Sequence, residues 1–384
     1  MSFEEEIAKL NEYCFFREFT FSKNTFRPTP TEETELADNV VWLDDLLIVY
    51  QLKEREAPEK TRPSAEERWF NGKVLRKATR QIRDTLTFLH EHEHIQLENH
   101  RGHTFQLGVS SIRTIHKVVC YLAHRDLPKA LREKKFHQSK TAGAIHLIPA
   151  NDYVGILRTL LTPHEVGEYL TFREDLNNRW EGRIAELPEQ ALVGQYLNGD
   201  IDKEPSIEFV EYLTALDHRA QEWDMSGVLE NFPDHQTSDT EPTDYYRIVS
   251  EIAKLKRNEL REFKTRFELS IKHARSSTFV QPYRMMIPRT KCGFVFVPLV
   301  DEFIEYASQG LTNLTYACKY ELKLPKCLGV SFAPEEGGWY SIGWCYMEFL
   351  WKQDPELDLK LEKNNPFGEA RTVELDRYTF RDDE

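Results

Sequence analysis

Residues 35–55, ELADNVVWLDDLLIVYQLKER, constrain the fold more tightly than any other stretch of this chain. Two β-prone apolar runs, Val40-Val41-Trp42 and Leu47-Ile48-Val49, meet at Asp44-Asp45, a pair of turn-forming residues, so the segment reads as a β-hairpin. A two-residue turn at Asp44-Asp45 and a four-residue loop from Leu43 to Leu46 give the same register, with Asp38 opposite Gln51 and Leu36 opposite Lys53. Facing residues of a hairpin point to the same side, as do positions two apart on one strand. Asp38, Gln51 and Lys53 therefore converge on one face at one end of the hairpin.

That trio suits phosphodiester hydrolysis. Asp38 offers a carboxylate, and Gln51 an amide oxygen, to a hard cation such as Mg²⁺ or Mn²⁺, which polarises a phosphate and lowers the pKa of a bound water. Lys53 is placed to hold or activate that water, or to stabilise charge developing on the phosphate.

The surrounding pattern predicts an α/β chain. Apolar spacing at Phe3, Ile7, Leu10 and Cys14 predicts a first helix; FREFTFSKNTF (residues 16–26) alternates and predicts a strand. After the hairpin, Pro63 and Ser64 open a helix through about Leu89, its apolar face marked by Trp69, Val74, Ala78, Ile82 and Phe88. AIHLIP (144–149) reads as a buried strand, and VGILRTLL and PHEVGEYLTFREDL as helices. From Arg183 to His273 the chain is charged and helical, interrupted by the acidic loop 233–246, PDHQTSDTEPTDYY. GFVFVPL, KCLGVSF and WYSIGWCYMEFLW then predict a second α/β module with its own core. The expected domains are 1–185, a helical connection 186–275, and 276–384. This last module is assigned to substrate selection, dimerisation or partner binding.

Composition narrows the function classes. No run approaches the ~18 apolar residues of a membrane helix, and the opening MSFEEEIAKLNEY is acidic where a secretory signal is basic and then apolar. The expected location is the cytoplasm, and six cysteines without a CxxC pair fit reduced thiols there. A net charge of −14 argues against coating nucleic acid by bulk attraction, but Lys73–Arg83, Lys129–Lys135 and Lys254–Arg266 are locally basic.

On these residues the first 150 or so positions resemble the PD-(D/E)xK, or restriction endonuclease-like, superfamily of nucleases. The match consists of Ala37-Asp38, then Gln51-Leu52-Lys53, set among helix, strand, hairpin and helix in the family order. Gln51 departs from the commoner Asp or Glu; Mrr-like branches carry the same QxK form. The resemblance implies an αβββαβ core, Mg²⁺ or Mn²⁺ held by Asp38 and Gln51, and Asp38, Gln51 and Lys53 as catalytic residues. Glu35 is a further catalytic candidate, on condition that a bulge turns it to the same face as Asp38. The superfamily often adds an acid from the first helix, where Glu5, Glu6 and Glu12 stand. It also places polar or basic groups on the helix after the hairpin, here Lys73, Lys77 and Gln81, as substrate contacts. The implied substrate is nucleic acid, DNA above RNA, and the implied setting is prokaryotic defence or nucleic-acid processing. The alternative is a non-catalytic protein that uses the same fold to bind nucleic acid or protein.

Three other features compete for attention. In His90-Glu-His92-Glu-His94, a helix would make His90 and His94 neighbours at a zinc-compatible spacing, against the plainer reading of a polar helix end. Glu321-Leu-Lys323 spells ExK with no acid in register upstream, and reads as chance; Trp339, Trp344 and Trp351 read as core. No GxxxxGK[ST] loop is present to supply an ATP-driven motor.

Overall fold

The computed structural model describes residues 2–22, 25–29, 32–56, 61–180, 182–217, 219–235, 241–274, 280–369 and 371–381, and at 26–29, 32–34, 235 and 338 the backbone alone. The chain divides into two compact units, residues 1–216 with 380–384, and residues 217–379. Composition had suggested boundaries at 185 and 275. Residues 186–216 instead belong to the first unit, where buried Glu189 is ion-paired to Arg173 and Lys135, and residues 217–275 belong to the second. Residues 236–240 of the acidic loop lie outside the described residues.

The first unit begins with α1 (Phe3–Phe15), capped by a reciprocal pair in which Glu5 N–H donates to Ser2 Oγ and Ser2 N–H to the Glu5 carboxylate. Alternation over 16–26 predicted one strand. The chain forms instead a 3₁₀ turn at Arg17–Phe19, then β1 (Thr20–Ser22) and β2 (Thr25–Thr29), the latter paired with β3 (Glu32–Glu35) in a separate ribbon. β4 (Asn39–Leu43) and β5 (Leu46–Glu54) form the hairpin in the expected register, from Leu43↔Leu46 to Asn39↔Tyr50, with Asp44 in the left-handed region at φ 55°.

The helix expected from Pro63 forms with Pro63 at its first position. It comprises α2 (Pro63–Trp69), a wide π-helical stretch (Phe70–Lys77) and α3 (Ala78–Glu91). Its inner face, Phe70, Val74, Ala78 and Ile82, is buried against Val119, Tyr121, Ile145 and Leu147. Next come the small hairpin β6 (His94–Glu98) with β7 (Thr104–Gly108), then β8 (Thr114–Leu122), α4 (Lys129–Arg132), β9 (Phe136–Ser139) and β10 (Gly143–Pro149). The six-stranded sheet runs β1-β4-β5-β8-β10-β9. Antiparallel pairing through the hairpin gives way to parallel β5-β8 and β8-β10, closed by antiparallel β9. This is a mixed α/β sheet in which strands buried on both faces read as continuous apolar runs.

Helices α5 (Ala150–Thr159), α6 (Pro163–Arg179), α7 (Glu189–Asn198) and α8 (Val210–Ala215) complete the unit. The face opposite α3 is stitched to α1 and α5 by a buried chain. Tyr153 Oη donates to Asn11 Oδ1 (2.6 Å) and accepts from Tyr50 Oη (2.9 Å), and Asn11 Nδ2 donates to Asn39 Oδ1 (2.7 Å). The sheet is thus covered on both faces.

The second unit contains α9 (Ser226–Asn231), α10 (Tyr246–Ala253), α11 (Arg257–Ala274), β11 (Tyr283–Ile287), β12 (Cys292–Pro298), α12 (Ala307–Glu321), β13 (Lys326–Pro334), β14 (Tyr340–Glu348) and α13 (Pro355–Lys363). Its sheet runs β11-β12-β13-β14, with α12 crossing between parallel β12 and β13. Phe294 and Phe296 face α11 through Phe263; Val295 and Val297 lie in the core with Leu311 and Cys318 of α12. Glu321 and Lys323 stand at the end of α12, where Glu321 pairs with Arg284, so this ExK forms no hairpin site. Trp344 packs on Phe267 and Phe232, whereas Trp339 is 75% exposed, contrary to its reading as core. Among the described residues no helix is long and apolar enough to cross a membrane.

Candidate active site

Asp38 lies one residue before β4, and the hairpin register sets it opposite Gln51. With β4 starting only at Asn39, the Leu52 N–H finds its acceptor in the Asp38 side chain, Oδ2 at 2.6 Å. The Lys53 ammonium stands where three oxygens converge: Asp38 Oδ2 at 2.9 Å, Gln51 Oε1 at 3.0 Å and the Leu52 carbonyl at 3.0 Å. Gln51 is buried, and the Asp38 and Lys53 side chains retain only 11% and 10% of their exposure. A charge pair this sheltered interacts strongly, and removing either partner strands the other.

Helix α3 closes one side of the cluster. The Thr85 hydroxyl donates its one proton to the Leu36 carbonyl, two residues before Asp38, with the Gln81 carbonyl of its own helix as a second acceptor at 3.0 Å. One turn earlier, Gln81 Oε1 is buried with no hydrogen-bond partner among the described residues. That orphan acceptor is the kind of group expected beside a polar ligand. Lys73 and Lys77 are exposed on the π-helical stretch. Glu35 ends β3, in the separate ribbon, with its side chain exposed. Of the first-helix acids, Glu5 is held in the cap, Glu6 is exposed, and Glu12 pairs with His100 and Arg17.

The zinc-compatible spacing of His90 and His94 does not materialise. Helix α3 stops at Glu91, the His92 ring sits 3.1 Å from the Phe88 carbonyl, and His94 opens β6. A second histidine cluster forms instead from elements far apart in sequence: His116 of β8, His146 of β10 and Glu174 of α6, with ligand atoms within 4.8 Å of one another. Burial lowers the pKa of His116 to about 4 and that of His146 well below its usual value, so both rings are neutral at pH 7. Burial also raises the Glu174 carboxyl.

The donor set decides what this cluster can hold. Arg173 Nη1 lies 3.3 Å from His146 Nδ1, and a guanidinium only donates, so Nδ1 accepts and the ring proton sits on Nε2. Nε2 thus points a donor, not a lone pair, toward Glu174. Arg173 is fixed in this pose by Glu189, with Nε–Oε1 at 2.7 Å and Nη2–Oε2 at 3.1 Å, while Lys135 Nζ and Tyr169 Oη also donate to that carboxylate. A cation needs lone pairs from all its ligands, and His146 in this state has none to offer there.

No protein-family profile, curated protein or solved structure matches this chain.

Proposed function

We propose that the chain is a divalent-metal-dependent phosphodiesterase of the PD-(D/E)xK type acting on nucleic acid, DNA first, with its centre at Asp38, Gln51 and Lys53. The observation that carries the reading is the convergence of three oxygens on the Lys53 ammonium. One carboxylate, one amide oxygen and one backbone carbonyl make a hard-oxygen set already focused on a positive charge, which is what Mg²⁺ or Mn²⁺ requires. Asp38, Gln51 and the Leu52 carbonyl are the groups that would hold such an ion, which would supply a polarised phosphate and a more acidic water. With a single full negative charge the set is a weak site alone, suited to an ion that also binds substrate phosphate.

The remaining work falls to the chain. Leu52 N–H orients the Asp38 carboxylate, Lys53 carries the positive charge that a phosphorane-like transition state needs, and Thr85 anchors the Asp38 segment to α3. The order α1, β1, β4, β5, α3, β8, with β8 parallel to β5, supports an αβββαβ nuclease core.

The test pairs ion binding with cleavage. Mn²⁺ binding, followed by electron paramagnetic resonance in the presence of a short DNA duplex, is expected to be lost in Asp38→Asn. Cleavage of linear, circular and single-stranded DNA is expected in Mg²⁺ or Mn²⁺ and not in chelator. A binding scaffold without catalysis is the second reading, favoured by the ion pair that occupies Lys53; folded protein that binds DNA but neither binds Mn²⁺ nor cuts would establish it.

A further inference from the structure

The sequence run Lys73–Arg83 holds Lys73, Arg76, Lys77, Arg80 and Arg83 with no carboxylate among them, in a chain whose net charge is −14. On the helix, Arg76, Arg80 and Arg83 fall at spacings of four and three, and so form one stripe rising ~10 Å along the axis. That stripe lines one wall of a cleft of about 460 Å³, with Asn71, Leu75 and Thr79; the other wall is His137 of β9 and Thr141 of the turn that follows. We propose that this cleft binds the phosphate backbone of a nucleic-acid duplex.

Each wall contributes chemistry that fits phosphate. Guanidinium groups present planar, paired N–H donors matched to phosphate oxygens. Arg76 Nε donates to the Asn71 carbonyl at 3.4 Å, which leaves its terminal nitrogens to the cleft. Arg83 is paired to its neighbour Asp84 at 2.8 Å, but both side chains are nearly half exposed, and such a pair is weak enough to exchange for a phosphate. Across the cleft the turn is fixed by Ser139 Oγ, which accepts from the backbone N–H of Thr141 and of Ala142. His137 is kept neutral by burial and by nearby Lys134, so it serves as a hydrogen-bonding group and not as a charge.

The lining also says which nucleic acid fits. Single-strand binders stack bases on aromatic rings, and among the described residues no Phe, Tyr or Trp lines this cleft. Contacts to phosphate alone suit a duplex, whose bases are already stacked and whose backbone is regular. The cleft lies over the sheet face that carries Gln51 and Lys53, since α3 packs on that face. The proposal draws its substrate class from the phosphodiesterase reading, but its location rests on the arginines alone.

The two ideas separate in one experiment. Fluorescence anisotropy in EDTA measures binding of a labelled DNA duplex, and of one strand alone, by the wild type, Asp38→Asn, and the triple variant Arg76→Ala/Arg80→Ala/Arg83→Ala. Circular dichroism checks that each is folded. The triple variant is expected to lose about tenfold or more in duplex affinity and to flatten the log–log salt slope by ~0.9 for each phosphate contact removed. Asp38→Asn keeps every arginine of the cleft and is expected to keep the wild-type salt slope. Unchanged affinity and slope in the folded triple variant would overturn the proposal, as would wild-type protein that prefers the single strand or ignores the duplex. If Asp38→Asn cuts DNA as fast as the wild type once Mg²⁺ replaces EDTA, while the triple variant fails to bind, the cleft stands and the hairpin reading falls.

Discussion

Replacing Glu189 with Gln tests how the first unit is held together behind its sheet. Glu189 is buried and bonded to Arg173, Lys135 and Tyr169; burial raises its pKa, but the guanidinium and ammonium beside it outweigh that and lower it from 4.5 to about 2. A shift of this size corresponds to about 3 kcal/mol of stabilisation. Because the folded pKa is the lower one, the contribution is complete above pH 4.5 and disappears as pH falls toward 2. Glu189→Gln removes the charge and leaves two buried cations unpaired, a loss expected at about 3–5 kcal/mol near neutral pH. Urea denaturation of both proteins at pH 6, 5, 4 and 3, followed by a probe in the first unit, measures the difference. It should be constant from pH 6 to 5 and shrink by roughly 2 kcal/mol by pH 3. A difference that stays constant down to pH 3 would refute the assignment of that stability to an ionised Glu189.

His116, neutral in the fold with its pKa lowered to about 4, contributes stability that is present above pH 6.5 and is lost as pH falls from there toward 4. His116→Asn should flatten the pH dependence of unfolding in that window by about 1.4 kcal/mol per pH unit, and an unchanged slope would contradict it. Thr85→Val orphans the buried Leu36 carbonyl and should cost about 1–3 kcal/mol by denaturation, with any nuclease activity falling further than stability does. Gly194→Ala places a Cβ 1.9 Å from the Phe209 carbonyl oxygen, a backbone atom, and should lower the melting temperature through overpacking of about 1–3 kcal/mol; an unchanged melting temperature would show that the contact relaxes freely.

The hairpin was legible because its information is local. Alternation, two apolar runs and the Asp44-Asp45 turn fix the register to within one residue, and the observed Asn39↔Tyr50 pairing follows. The long helix was legible from its 3.6-residue spacing, since Val74, Ala78 and Ile82 all face the core. What was missed depends on distance along the chain. The His116–His146–Glu174 cluster is set by the parallel β8-β10 register and the packing of α6, neither of which any local pattern encodes. The β6–β7 hairpin did carry a signal: Ile95 and Leu97 alternate with exposed Gln96 and Glu98. The surrounding histidines, at the i, i+4 spacing of a helix, compete with that alternation. Asn11, whose buried amide ties α1 to the hairpin, carries no such signal, because nothing local distinguishes an inward-facing Asn from an outward one.

If Asp38 and Lys53 form a catalytic pair and not a structural one, cleavage needs both side chains. Cleavage of supercoiled and linear DNA in Mn²⁺ by wild type, Asp38→Asn and Lys53→Met, each shown to be folded, tests it most directly. A catalytic pair requires cutting by the wild type, a loss on the order of a hundredfold or more in each variant, and none in chelator. Cutting that persists undiminished in both folded variants would contradict it and move the chemistry away from the hairpin.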